Sequence, residues 1–184
     1  MKDLLQSPRP IVLSPGPKGP EDVLPTLHLT SSLLGKVPIL GICLGHQILA
    51  HLHGARIVKG ADPHHGNTRL IIPRDGFQSF AVRRPAAFYN SLVVDEASVK
   101  GPLRVISRCD HGEVAGIIND SNPLAPAVGL QFHPESYLSQ GAQKIRDSFV
   151  EVLKAWYGNG TTGSRLSNGA FVNSLVDHQS NLAR

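Results

Sequence analysis

Apolar residues in this chain gather in short dense runs separated by glycine, proline and small polar residues. Ile11-Val12-Leu13 is a β-branched run stopped by Ser14-Pro15-Gly16-Pro17, the pattern of a strand ending in a rigid turn. Pro20-Glu21-Asp22 then places acidic residues where a helix N-terminus favours them, and the apolar-rich stretch up to Gly35 predicts a helix, weakened by Pro25 and by Thr30-Ser31-Ser32. Val37 to Ile42 reads as a fully buried strand. From Leu44 to about His53 the pattern is helical, with Gly54 as its C-cap.

The middle of the chain, from Arg56 to Arg108, reads as short strands joined by turns, among them Arg69-Leu70-Ile71-Ile72 and Leu92-Val93-Val94. Val114 to Ile118 and Val128 to Phe132 are two further apolar strands. A helix follows from about Gln140 to Tyr157, where Ile145, Phe149, Leu153 and Trp156 fall on one face. Residues 158–184 open on Gly-Asn-Gly-Thr-Thr-Gly-Ser and read as a flexible polar tail or linker, leaving 1–157 as one domain. Helices interleaved with buried strands predict an α/β fold with a largely parallel open sheet, in which ligands sit at the carboxyl ends of the strands.

Composition narrows the function classes. The 184 residues are 41% hydrophobic and 17% charged, enough for one full core. The net charge of +4 is spread along the chain, which argues against a nucleic-acid footprint. No run is long enough for a membrane span, and the N-terminus lacks a secretory pattern, so a cytoplasmic setting is expected. Two cysteines, Cys43 and Cys109, are too few for a disulfide framework. A zinc site drawn from His46, His51, His53, His64 and His65 is disfavoured, because no pair has the H-E-x-x-H spacing and His51 and His53 face different ways on a helix. No metal site is expected.

The sharpest chemical signal is Gly41-Ile42-Cys43-Leu44-Gly45, lodged between a buried strand and a helix. This is a nucleophile elbow with cysteine in the place of serine. The helix N-terminus behind the sulfur favours thiolate, and its free N–H groups can stabilise a neighbouring oxyanion. The alternative is a small buried hydrophobic cysteine; Cys109, in Ser107-Arg108-Cys109-Asp110, is read that way. A thiol nucleophile needs a base, and a base is best oriented by a carboxylate. Gln131-Phe132-His133-Pro134-Glu135-Ser136 offers both, since positions two apart in extended backbone share a face. A surface turn with an incidental histidine is the competing reading of that fragment alone.

Taken together, Gly41-Ile42-Cys43-Leu44-Gly45-His46-Gln47 and Phe132-His133-Pro134-Glu135-Ser136 resemble the class I, or triad, glutamine amidotransferases. Leu13-Ser14-Pro15-Gly16-Pro17, His65-Gly66-Asn67-Thr68 and Tyr89-Asn90-Ser91-Leu92 resemble the branch that supplies ammonia to anthranilate synthase and aminodeoxychorismate synthase. The resemblance implies a flavodoxin-like sheet and a triad of Cys43, His133 and Glu135. It also implies an oxyanion hole from the backbone N–H groups of Gly16 and Leu44, and a glutamine pocket from Gln47 and the backbone at Ser91 and Leu92. L-glutamine would be the substrate and a chorismate-using synthase subunit the protein partner. No cofactor is implied in this chain, although a synthase of that type would use Mg.

Three positions depart from the family pattern. Lys18 stands where a second glycine is usual, with Gly19 one place later, so a register shift by one is an open rescue. Asn90 replaces a histidine, for which a mild effect is expected, and Arg69 stands where serine is common. Family members also carry roughly fifty residues before the Ser-Pro-Gly-Pro motif, including a first strand and helix. Their apparent lack here makes a non-catalytic binding or regulatory remnant the alternative reading. A γ-glutamyl hydrolase or cysteine peptidase of the same broad fold is a weaker rival.

Overall fold

The computed structural model describes residues 7, 9–61, 66–74 and 83–161. The strands are β1 (Ile11–Leu13), β2 (Ile39–Ile42), β3 (Ile57–Lys59), β4 (Asn67–Pro73), β5 (Pro85–Phe88), β6 (Leu92–Val94), β7 (Arg104–Cys109), β8 (Val114–Asn119) and β9 (Ala127–Leu130). The helices are α1 (Leu24–Leu33), α2 (Leu44–Leu52) and α3 (Ala142–Thr161). Seven strands form one sheet in the order β1-β2-β9-β8-β7-β4-β5, and β3 pairs with β6 in a second. The α/β architecture is as expected.

The sheet is mixed, and the expected largely parallel arrangement is confined to one side. β1 with β2 and β2 with β9 run parallel, while β9-β8, β8-β7, β7-β4 and β4-β5 are antiparallel. The cause lies in the connections. A helix carries the chain from β1 to β2, as parallel neighbours require, whereas β7 and β8 are joined by a tight turn at Gly112, φ +87°. The turn-rich middle of the sequence therefore builds hairpins. The chemistry-bearing segments follow β2 and β9, on the parallel side.

Burial explains why β2 shows no alternation. All four of its residues are buried, and so are residues 44–50 of α2 behind it. One apolar core lies between the sheet and α3, with Ile71, Phe88, Phe132, Ile145, Phe149 and Val152. The other lies under α1 and α2, with Leu33, Val37, Ile39, Ile48, Leu49 and Ile117. Among the described residues β1 is the sheet's edge, and Val12 on it is 55% exposed.

Two helix boundaries differ from the sequence expectation. Pro20–Asp22 forms a 3-10 turn instead of opening the helix, because the Asp22 carboxylate turns back to accept the Gly19 N–H at 2.9 Å. The helix starts at Leu24, with Pro25 in its first turn, where no N–H is needed. Thr30 and Ser32 are accommodated by bonding back to the carbonyls of Thr26 and His28. At the other end, α3 continues to Thr161, past the predicted stop at Tyr157. Residues 162–184, the rest of the proposed tail, lie outside the described residues.

Candidate active site

The elbow is built by exclusion. A Cβ on Gly41 would stand 2.5 Å from the carbonyl of Gly45, and one on Gly45 would stand 2.5 Å from the carbonyl oxygen of Leu13. Neither position can hold a side chain unless the backbone moves. Cys43 between them adopts φ 52°, ψ −102°, a conformation that a non-glycine residue rarely takes. Its N–H donates to the Leu130 carbonyl at 2.8 Å, which locks the elbow to the end of β9.

Burial works against the thiolate that the helix dipole alone would favour. Burial pushes the Cys43 thiol up from its ordinary value, and the nearby Glu135 charge pushes the same way. The Leu44 N–H and the Gln131 side chain pull it back only in part. A buried thiol of this kind needs a base before it can attack. Cys109, at the end of β7, is likewise buried and pushed up by burial, and both thiols are free.

The predicted base and its carboxylate are in contact. His133 Nδ1 lies 2.7 Å from Glu135 Oε1. An ionised carboxylate can only accept, so Nδ1 carries a proton, and in the neutral imidazole Nε2 then presents its lone pair. Nε2 is buried and has no hydrogen-bond partner among the described residues. The shared face arises from a turn, not from the extended backbone expected, since the Ser136 N–H closes back on the His133 carbonyl at 3.1 Å. The His133 N–H is held by the Ala87 carbonyl at 2.9 Å, and the Tyr89 ring packs edge-on against the imidazole at 4.8 Å between centroids. Tyr89 in turn rests on Gly66.

Gly16 and Leu44 are also neighbours, because a Cβ on Gly16 would meet Leu44 Cδ2 at 2.8 Å. The register shift left open at Lys18 does not occur. Lys18 itself takes the left-handed conformation, φ 70°, while Gly19 is extended at φ −116°, ψ 175°. The loop keeps a glycine backbone under a lysine side chain.

Gln47 is buried, and its Nε2 donates to the Leu92 carbonyl at 3.0 Å. Asn90 is also buried and donates to the same carbonyl at 3.0 Å, while the Ser91 carbonyl accepts from the Gly60 N–H. The carbonyl oxygens of the Gln47 and Asn90 side chains have no partner among the described residues. Gln131 is the residue that the sequence reading passed over. Its Nε2 reaches Cys43 Sγ at 3.7 Å and its Oε1 accepts from Gln47 Nε2 at 3.2 Å. The signal was its place two positions before His133, just past an apolar strand.

His46 is wholly buried and packs against Gly129, where a Cβ would stand 2.9 Å from its Nδ1. Burial holds its pKa down to about 4, offset in part by the adjacent Gly129 backbone, although neither ring nitrogen makes a well-formed hydrogen bond. His53 bonds to Leu49 and Asn119. No group of three or more His, Cys, Asp or Glu that could hold a metal occurs among the described residues. His64 and His65 lie outside them.

Comparisons with known proteins identify the family. The chain is 37% identical over 149 residues to the bifunctional protein TrpGD of Thermotoga maritima, covering 80% of this chain and 25% of that protein. It is 32% identical over 151 residues to the aminodeoxychorismate/anthranilate synthase component 2 of Bacillus subtilis, covering 80% of this chain and 76% of that one. The chain thus spans a quarter of the length of the bifunctional relative and about three quarters of the other. Among solved structures, a glutamine amidotransferase from Thermotoga maritima superposes with a TM-score of 0.58 at 20% identity, covering 93% of this chain and 71% of that one, which supports the fold. The family model for glutamine amidotransferase class-I matches residues 1–152, and the chain belongs to that family.

Proposed function

We propose that the chain is a glutaminase that cleaves L-glutamine through Cys43, His133 and Glu135 and delivers the ammonia to a chorismate-using synthase subunit. The observation that carries this reading is the His133–Glu135 pair at 2.7 Å, in which the His133 Nε2 is buried and has no partner among the described residues. A base with its lone pair uncommitted is what a thiol held above its ordinary pKa requires.

In the reaction, His133 Nε2 takes the Cys43 proton as Sγ attacks the side-chain amide carbon of glutamine. The N–H groups of Gly16 and Leu44 stabilise the tetrahedral oxyanion. Collapse breaks the C–N bond, and the imidazolium passes its proton to the leaving nitrogen, which departs as ammonia. Water, deprotonated by His133, then attacks the glutamyl thioester, giving glutamate and returning the proton to sulfur. Glu135 holds the imidazole in the useful tautomer and offsets its transient charge. Gln47 and the backbone at Ser91 and Leu92 hold the amino-acid end of the substrate.

The synthase partner is inferred from the component 2 relative, which is named for aminodeoxychorismate and anthranilate synthase. A cytoplasmic setting belongs to the same reading; no helix among the described residues is long and apolar enough to cross a membrane. The test is to incubate the full chain with an electrophilic glutamine analogue and locate the adduct by mass spectrometry. Labelling of Cys43 that glutamine competes and His133→Ala abolishes supports the glutaminase. Equal labelling of Cys43 and Cys109, or none at Cys43 even with a chorismate-using synthase subunit present, rejects it.

A further inference from the structure

The buried amides around Cys43 form a directed chain. Gln47 Nε2 has two N–H groups, and both are committed, one to the Leu92 carbonyl at 3.0 Å and one to Gln131 Oε1 at 3.2 Å. Among the described residues, the only uncommitted group on that amide is Oε1, which is buried and unpartnered. Gln47 can therefore only accept from a ligand. Gln131 is fixed in the same way. Turning its amide over would set its N–H groups against those of Gln47, so Oε1 must face Gln47 and Nε2 must face the sulfur at 3.7 Å. With 1% of its surface exposed, Gln131 has no solvent alternative.

We propose that Gln131 is a positioning residue joining the nucleophile to the substrate pocket: its Oε1 fixes Gln47 as an acceptor for the ammonium group of an α-amino acid, and its Nε2 donates to Cys43 Sγ. The proposal rests on the glutaminase reading and deepens it. Selectivity for a free amino acid follows, because an acceptor oxygen suits an ammonium group with several N–H donors better than the single N–H of an acylated nitrogen. The N–H directed at sulfur is worth most when the sulfur is anionic, so it assists the step in which the thiol loses its proton.

Three variants separate the two contacts: Gln131→Met, Gln47→Met and the double variant. Each is read by inactivation kinetics with an electrophilic glutamine analogue (KI and kinact) and by the pH dependence of Cys43 alkylation with iodoacetamide. Gln131→Met is expected to raise KI, to lower kinact about tenfold and to move the alkylation midpoint upward, as loss of one hydrogen bond to a charged group predicts. Gln47→Met is expected to raise KI and leave the alkylation midpoint in place. The double variant is expected to show no further rise in KI beyond Gln47→Met, because both changes remove one shared contact.

An alkylation midpoint unchanged in Gln131→Met overturns the sulfur contact, and additive effects on KI overturn the link to Gln47. In the native protein, the Gln131 side-chain amide proton resonance should move as Cys43 titrates; a resonance that stays fixed overturns the proposal even where a variant does not fold. If the analogue fails to label Cys43 even with a chorismate-using synthase subunit present, the glutaminase reading falls. The alkylation and resonance measurements still decide the contact with sulfur.

Discussion

Gly41 lies directly beneath the Gly45 peptide: a Cβ on Gly41 would stand 2.5 Å from the Gly45 carbonyl carbon and oxygen and 2.8 Å from the His46 nitrogen. All three contacts are backbone, so no side-chain rotation can relieve them. Gly41→Ala must therefore shift the first turn of α2 away from β2. The expected result is a loss of about 2–3 kcal/mol of stability, at the upper end of overpacking effects, together with loss of analogue labelling at Cys43. Urea unfolding with native-like stability would show that the elbow can move freely.

Lys18 carries a strain that is simple to remove. Its φ of 70° lies in the left-handed region, where a residue with a Cβ is disfavoured by about 1 kcal/mol or more. Lys18→Gly should raise stability by about 1 kcal/mol, while Lys18→Ala, which keeps the Cβ, should leave it near the native value. Paired urea midpoints check this. A glycine variant no more stable than the alanine variant would mean that the lysine side chain makes a compensating contact.

Periodicity and turn residues were enough to find β1, β2, α2, β6 and α3, because the strands are dense apolar runs and the helices repeat apolar residues at spacings of three and four; the end of α3 was missed because no clear stop follows Tyr157. Sheet direction was hidden. The turn at Gly112 that makes β7 and β8 a hairpin looks locally like any loop, and only pairing across the sheet distinguishes it. The same holds within the site. Cys43 and His133 could be read from residue type and local motif, whereas Gln131 matters through contacts with Gln47 and Cys43 that are distant in sequence. The turn that brings Glu135 to His133 was mistaken for extended backbone, since both geometries put the two side chains together.

His46 predicts how stability responds to acid. Its folded pKa of about 4 lies below the ordinary histidine value of 6.5, so between these values the unfolded chain binds a proton that the native chain refuses. The contribution is fully present above pH 6.5 and is lost as pH falls toward 4, by up to about 3 kcal/mol. His46→Gln removes this titration and should flatten that part of the profile. Urea unfolding of both proteins at several pH values across this window provides the comparison. Equal slopes would mean that other groups account for the acid sensitivity.

Glu135 acts on Cys43 in two opposing ways, and one substitution separates them. Its negative charge helps hold the thiol protonated, while its contact with His133 Nδ1 at 2.7 Å orients the base. Glu135→Gln removes the charge, so Cys43 should become more acidic and its alkylation by iodoacetamide at pH 8 faster than in the native chain. Glutamine hydrolysis should nonetheless fall by about a hundredfold or more, because an amide no longer fixes the imidazole tautomer and the charge that offsets imidazolium is gone. The two assays are thus expected to move in opposite directions. A simple electrostatic role for Glu135 would make both rise, and a purely structural one would change alkylation of Cys109 along with Cys43. Faster alkylation of Cys43 alone, with slower hydrolysis, is the outcome that assigns Glu135 to the base rather than to the nucleophile.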